Sequence, residues 1–171
     1  MVSTPSNHRK KLKKQHYFII IIFIVSSTLV EIEGFGSFLF DTGEGTFGQL
    51  YRRFGLARLE QVISQELKLI FISHLHADHH MGLIQILVWR DRWRKTQTNG
   101  LQRVRSLTIV GPRMLGLWLE EYAHCESLGD FKFVDCETLI THTESPGSGE
   151  GTTGIEKALL PDLYAPFPKQ F

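Results

Sequence analysis

Short apolar runs separated by turn residues divide most of the chain into alternating strands and helices. Two of these runs, 27–33 and 37–41, flank Gly34 and Gly36 and predict a β-hairpin. A third run, 67–73, is almost continuously apolar, which is typical of a strand that is buried on both faces. The run 107–110 predicts a further strand. The pattern therefore indicates a layered α/β domain.

Apolar residues at helical spacing predict three helices between and after these strands. The first begins at Thr46, which can cap it, ends at Gly55, and has an apolar face made of Phe47, Leu50, Tyr51 and Phe54. The second covers residues 81–93. The third follows Pro112, and its inward side chains are expected to be Leu115, Trp118, Leu119 and Tyr122.

The two ends of the chain differ in composition from its centre. Residues 1–25 join a basic start to the apolar run 17–25, which superficially resembles a signal peptide and equally suits a buried strand. That run is shorter than the roughly 20 apolar residues that cross a bilayer, so we expect no stable membrane insertion. From Thr141 the chain is polar and rich in turn residues. We expect an N-terminal segment 1–25, a domain 26–140 and a flexible tail 141–171.

Composition excludes a disordered chain and favours one globular domain. The chain has 171 residues, is 42% hydrophobic and carries a formal net charge of +1. Its two cysteines, Cys125 and Cys136, have the spacing of neither a zinc knuckle nor a redox pair, which indicates an intracellular chain with two free thiols. The basic group Arg90, Arg92 and Arg94 is more typical of a solvated surface than of a nucleic-acid site.

The segment FISHLHADHHMG, residues 71–82, holds four of the eight histidines. Side chains alternate along extended backbone, so His74 and His76 are expected to direct both imidazoles to one side. Asp78 and His79 follow closely and offer a carboxylate and another imidazole to a second metal ion. The pattern predicts a two-metal site at the carboxyl end of a strand. His80 fits no ligand position in this pattern and is expected to be structural.

The sequence SHLHADHH (73–80), preceded by FDTGEGTFGQLYRRFG (40–55), resembles the tRNase Z family of the metallo-β-lactamase superfamily. The spacing H-x-H-x-D-H alone would also suit glyoxalase II. The element G-E-G-T-F-G-Q makes the resemblance specific to the tRNase Z family. The closest resemblance is to the N-terminal part of the catalytic half of the long eukaryotic form. It implies an αββα sandwich whose C-terminal half is absent from this sequence. It also implies a zinc-dependent endoribonuclease that removes the 3′ trailer from precursor tRNA.

The resemblance assigns roles to five residues of the chain. His74 and His76 would hold one zinc ion and Asp78 and His79 the other, with Asp78 also acting as general base. Asp41 would support the site from behind. Four ligands shared by two metals leave two for each, whereas catalytic zinc normally has three and a water. Weak zinc binding is therefore expected unless a homodimer partner or a C-terminal half supplies further ligands.

The amino-terminal end departs from the family pattern. A P-x-K-x-R-N loop commonly precedes the first strand, but PSNHR (5–9) and VSSTLVEI (25–32) are separated by residues 10–24. We interpret 10–24 as an inserted segment, which weighs against the signal peptide. Three functions stay open: a tRNA 3′-processing endoribonuclease, a non-catalytic fragment or pseudoenzyme, and another two-metal hydrolase of the superfamily. The resemblance implies action in the nucleus or mitochondrion.

Overall fold

One six-stranded sheet organises the residues that the computed structural model describes, which are 19–24, 26–96 and 106–140. The strands follow one another in the sheet in their chain order. The first three are antiparallel, and β3 to β6 are parallel. Their bounds are β1 Ile19–Ile24, β2 Ser27–Ile32, β3 Gly36–Phe40, β4 Leu67–Phe71, β5 Leu107–Gly111 and β6 Phe131–Asp135.

Helices occupy most of the connections between the parallel strands. They are α1 Thr46–Gln61, which continues into a π-helical turn Val62–Glu66, then α2 Ala77–His80, α3 Leu83–Thr96 and α4 Arg113–Tyr122. Helix α5, Cys136–Ile140, follows β6. The α/β class is confirmed. None of the helices within the described ranges is long and apolar enough to cross a membrane. The predicted tail 141–171 lies outside those ranges, and the division of the chain at residues 25 and 140 stays a prediction.

The hairpin and the buried central strand are both confirmed. Strands β2 and β3 pair antiparallel around the turn at 33–35. Strand β4 pairs parallel with β3 on one side and β5 on the other, and its first four residues are buried. Because β4 lies between two parallel strands, the segment that follows it leaves the sheet at the edge where α/β proteins place their sites.

The main core lies between the sheet and the longer helices. It contains Leu29, Leu39, Ile70 and Ile109 from the strands and Leu50, Leu59, Leu83, Ile86, Leu115 and Leu119 from the helices. Successive strand residues face opposite sides of a sheet, so Leu69 lies on the face opposite to Ile70. There Leu69, Val110 and Val134 form a smaller cluster. Both faces of the central strands are therefore apolar and covered.

The interpretation of the apolar run 17–25 as a buried strand is wrong. Residues 19–24 do form a strand, but β1 is one of the two edge strands of the described sheet. Ile19, Ile20 and Ile21 are exposed, and Phe23 is 81% exposed. Ile22 alone among the described apolar side chains of β1 is partly buried against the main core. Strand side chains project from the two faces of the sheet, and Ile22 is the only one of these described side chains that packs against the main core.

Helix α1 begins as predicted and differs in its cap and its end. Gly45, with φ 85°, occupies the capping position that was expected for Thr46. Gly55 interrupts the helix, with φ 70° and ψ 170°, but the chain resumes helical geometry afterwards instead of ending there. The expected inward position of Tyr51 is wrong, and so is that of Tyr122 on α4, because both side chains are exposed at the margins of their apolar faces.

The solvated interpretation of Arg90 is also wrong. Its side chain is buried and donates hydrogen bonds to the backbone oxygens of Ile63 and Asp130. Burial, reinforced by the nearby charge of Arg94, lowers the pKa of Arg90 to about 10. Arg92 is exposed and pairs with Glu126. This group therefore ties α3 to the loop before β6. The expected free thiols are confirmed for both cysteines.

Candidate metal centre

Strands β3 and β4 are parallel neighbours in the sheet, so their carboxyl ends lie side by side. Phe40 pairs with Phe71 in the sheet, and the backbone N–H of Asp41 donates to the oxygen of Phe71 at 2.7 Å. Asp41 follows β3 directly, and Ser73 follows β4 after one further residue. These two positions therefore meet at the carboxyl edge of the sheet, although 32 residues separate them.

Asp41 anchors the start of the histidine segment through Ser73. The backbone N–H of Ser73 donates to Oδ1 of Asp41 at 2.8 Å, and the Ser73 hydroxyl lies 2.9 Å from both carboxylate oxygens. The same hydroxyl lies 2.8 Å from Nδ1 of His74. These contacts are satisfied together when His74 Nδ1–H donates to Ser73 and Ser73 donates to Asp41. The Nε2 lone pair of His74 is then available to a metal ion.

Asp41 also fixes His79, at the other end of the segment. Oδ2 of Asp41 lies 3.0 Å from Nδ1 of His79, so this carboxylate accepts a hydrogen bond from the ring. Histidines that bind metals usually donate their second N–H to a carboxylate or carbonyl in this way. Asp41 has φ 57°, in the left-handed region that aspartate tolerates better than most residues. One carboxylate thus orients two imidazoles.

Two glycines allow the turn after β3 to cross the histidine segment closely. Thr42 donates its N–H to the oxygen of His79 at 2.7 Å, and Gly82 donates to the oxygen of Thr42 at 2.8 Å. A Cβ at Gly43 would overlap the carbonyl oxygen of Asp78, and a Cβ at Gly82 would overlap that of Gly43. Only glycine fits this crossing, which therefore sets the position of helix α2 relative to the sheet.

The imidazoles of His76 and His79 lie next to that of His74. The ring centroid of His74 lies 4.5 Å from that of His76 and 4.2 Å from that of His79. Asp78 stands at the rim of this group, with a side chain that is 67% exposed and an Oδ2 that is 3.4 Å from Nε2 of His79. Its Oδ2 is also 3.4 Å from the hydroxyl of Ser26. The structure thus brings the four residues predicted as ligands into one cluster.

The side chains of this cluster are of the types that bind zinc. They are not, however, arranged as a complete set of ligands around one metal ion. Imidazole nitrogen and carboxylate oxygen are usual zinc ligands, and the Nδ1 contacts of His74 and His79 leave each Nε2 available. Within 19–24, 26–96 and 106–140, no group of three or more histidine, cysteine, aspartate or glutamate side chains is arranged to hold a metal ion. The roles of His74, His76, Asp78 and His79 as ligands stay a prediction.

Sequence reasoning missed two neighbours of the cluster. Ser73 links Asp41 to His74. Its only sign in the sequence is a weak one, a hydroxyl residue between a buried strand and the first histidine. Trp118 was expected to face inward, but its contact with the His80 ring, at a centroid distance of 5.1 Å, depends on the packing of α4. Glu44 is exposed and lies in the turn before α1.

Residues 21–91, which include β3, β4 and the whole histidine segment, match the family model described as the metallo-beta-lactamase superfamily. The chain is 39% identical over 144 residues to the mitochondrial tRNase Z TRZ3 of Arabidopsis thaliana, an alignment that covers 82% of this chain. The chain belongs to the tRNase Z family. Human zinc phosphodiesterase ELAC protein 2 is 45% identical over 98 residues, or 57% of this chain.

The fold agrees with this membership of the tRNase Z family. A long form RNase Z from yeast superposes with a TM-score of 0.57 at 29% identity, over 68% of this chain and 16% of the yeast chain. The chain spans about 15% of the length of TRZ3 and about 11% of the human relative. The matched part is thus a small portion of each relative, consistent with a partial metallo-β-lactamase domain.

Proposed function

We propose that this chain supplies part of the zinc centre of an endoribonuclease that removes the 3′ trailer from precursor tRNA. The observation that carries the proposal is the network in which one carboxylate, Asp41, orients His79 directly and His74 through Ser73. Hydrogen bonding of this kind presets imidazoles for a metal ion. Membership of the tRNase Z family supplies the substrate class. The words tRNase Z and mitochondrial in the names of two plant relatives support precursor tRNA in mitochondria as the substrate.

In this proposal, His74 and His76 would hold one zinc ion, and Asp78 and His79 would hold the other. Bound zinc lowers the pKa of its water to about 7 and stabilises charge on a phosphate. Asp78, whose side chain is exposed, would accept the proton that the attacking water loses. Asp41 keeps His79 in the tautomer that presents Nε2. Attack on the phosphorus would break its bond to the 3′ oxygen of the tRNA, which takes up a proton and leaves as a 3′-hydroxyl, while the phosphate stays on the trailer.

The first test measures zinc affinity and RNA cleavage on the full chain. Zinc is titrated in competition with a coloured chelator, and cleavage is measured on a precursor tRNA that carries a 3′ trailer. We expect His74→Ala and His79→Ala to weaken zinc binding and to abolish cleavage. His124→Ala is the matched control, because His124 is exposed and contacts only the oxygen of Glu121 among the hydrogen bonds found for it.

The outcomes separate the functions left open by the sequence. Zinc binding with cleavage at the 3′ end of the tRNA supports the proposal. Zinc binding that depends on His74 and His79 without cleavage would assign the chain to the non-catalytic alternative. Hydrolysis of a thioester in place of RNA would assign it to another hydrolase of the superfamily. A chain that folds and binds no zinc would refute the metal centre itself.

A further inference from the structure

His80 is the one histidine of the segment 74–80 that the ligand pattern does not use. Its Nδ1 lies 2.9 Å from the carbonyl oxygen of His76. A carbonyl oxygen can only accept, so Nδ1 of His80 carries the hydrogen. The same oxygen accepts the backbone N–H of His79, also at 2.9 Å. The side chain of His80 therefore reaches back to His76, the residue that directly precedes helix α2.

Helix α2 needs such a contact because it is a single turn. It contains four residues, Ala77–His80, and no side chain caps its start at His76. Its last backbone bond joins Met81 N–H to the oxygen of Ala77 at 3.1 Å. A turn of this length is unstable in water on its own, since helix nucleation is unfavourable. This turn nevertheless carries Asp78 and His79, so its geometry sets where two of the predicted ligands stand.

Helix α4 fixes the ring of His80 from the other side. The His80 and Trp118 rings meet edge to face, with centroids 5.1 Å apart and an interplanar angle of 89°. This geometry is the favoured one for aromatic pairs. Trp118 is itself packed against the main core and contacts the Tyr122 ring at 6.0 Å. His80 is thus held between the backbone of its own turn and a helix that lies 38 residues further along the chain.

We propose that His80, supported by Trp118, is a positioning residue that forms the α2 turn before any metal binds. By holding the oxygen of His76, it sets the direction in which Asp78 and His79 leave the turn. The consequence for zinc rests on the proposed function. The effect of His80 on the order of the α2 turn does not rest on the proposed function, because that order can be measured on the metal-free chain.

The first experiment measures amide hydrogen exchange without zinc. In His80→Ala, we expect the amides of His79 and Met81 to exchange about two- to tenfold faster. This factor corresponds to the loss of one hydrogen bond. Amides of the buried strand β4 report whether the whole fold has weakened, and they should be unchanged. In His80→Asn, the side-chain amide can take the place of Nδ1, so this variant should recover most of the protection. Trp118→Leu should resemble His80→Ala.

The second experiment compares the zinc affinity of the same variants. Removing a group that orients metal ligands typically costs 10- to 100-fold in affinity, so we expect at least about tenfold weaker binding in His80→Ala and partial recovery in His80→Asn. Equal loss in both variants with normal amide protection would make His80 a direct ligand and overturn the positioning role. Parent-like exchange and affinity in His80→Ala would also overturn it. If the parent binds no zinc, the proposed function fails, while the exchange data still decide the role of His80.

Discussion

Asp41 and His79 are 38 residues apart in the chain, and Oδ2 of the first lies 3.0 Å from Nδ1 of the second. The contact joins the end of β3 to helix α2. It leaves Nε2 of His79 on the side of the ring that is turned away from Asp41. A histidine placed in this way has a fixed tautomer and a fixed orientation, and both increase its affinity for a metal ion.

Asp41→Asn is expected to lower zinc affinity by about 10- to 100-fold while the chain stays folded. Asparagine tolerates the left-handed backbone at this position, where φ is 57°, but its neutral amide is a poorer acceptor for the N–H of His79. Zinc competition titration measures the effect, and thermal unfolding of the metal-free variant reports the fold. Parent-like affinity would show that Asp41 serves only the turn.

Gly43→Ala is expected to destabilise the chain by about 1–3 kcal/mol or more, since the new methyl group would overlap the oxygen of Asp78. The same displacement should move α2 and weaken zinc binding. Gly48→Ala is the matched control, because Gly48 lies inside α1 and the side chain of Arg52 would come no closer than 3.9 Å to the new Cβ. Alanine there should stabilise by about 0.5–1 kcal/mol. Urea unfolding of both variants tests the pair, and equal stabilities would contradict the close crossing.

Asp91 is expected to make the chain sensitive to acid. Its side chain is buried, which raises the pKa of the carboxyl, but hydrogen bonds from Lys95, Ser127 and Arg94 outweigh burial and leave that pKa below its usual value. A depressed pKa in the folded state gives stability that is present above the unfolded value of about 3.9 and is lost as the pH falls through the folded value.

Asp91→Asn should therefore be about 1.5–3 kcal/mol less stable than the parent at neutral pH, and the difference should shrink below about pH 4. Urea unfolding across this range measures both quantities. Asp130→Asn is the control, because the Asp130 side chain, which also contacts Arg94, is 87% exposed. A constant difference between parent and Asp91→Asn from neutral to acid pH would contradict the role of the ionised carboxylate.

Much of the fold could be predicted from local patterns along the chain. The hairpin around Gly34, the buried strand β4 and the helices after Gly45 and Pro112 follow from short-range rules on turns, apolar runs and caps. Strand β6 and helix α5, Phe131–Asp135 and Cys136–Ile140, were not predicted. Their residues show neither a strict alternation nor a long apolar run, and their structure depends on pairing with β5 and packing on the second cluster.

The exposure of single side chains was the least predictable property. Arg90 lies in a sequence-adjacent group of charges, yet it is buried, because α3 packs on the turn that contains Ile63 and on the loop that contains Asp130. The isoleucines of β1 are apolar, yet Ile19, Ile20 and Ile21 are exposed, because the main core packs against Ile22 and not against them. Both results depend on which elements become neighbours, which local composition does not encode.

The sequence by itself determined the candidate chemistry: the residue types and spacing of His74, His76, Asp78 and His79 lie within one short segment, where covalent geometry limits how far apart they can be. Only the tertiary structure decided what orients them. Asp41, to which the resemblance assigns a supporting role, and Trp118 reach the segment through the pairing of β3 with β4 and the packing of α4. Ser73, inside the segment, connects Asp41 to His74. Such contacts join residues that are distant in the chain, so they exist only once the sheet and its helices have assembled.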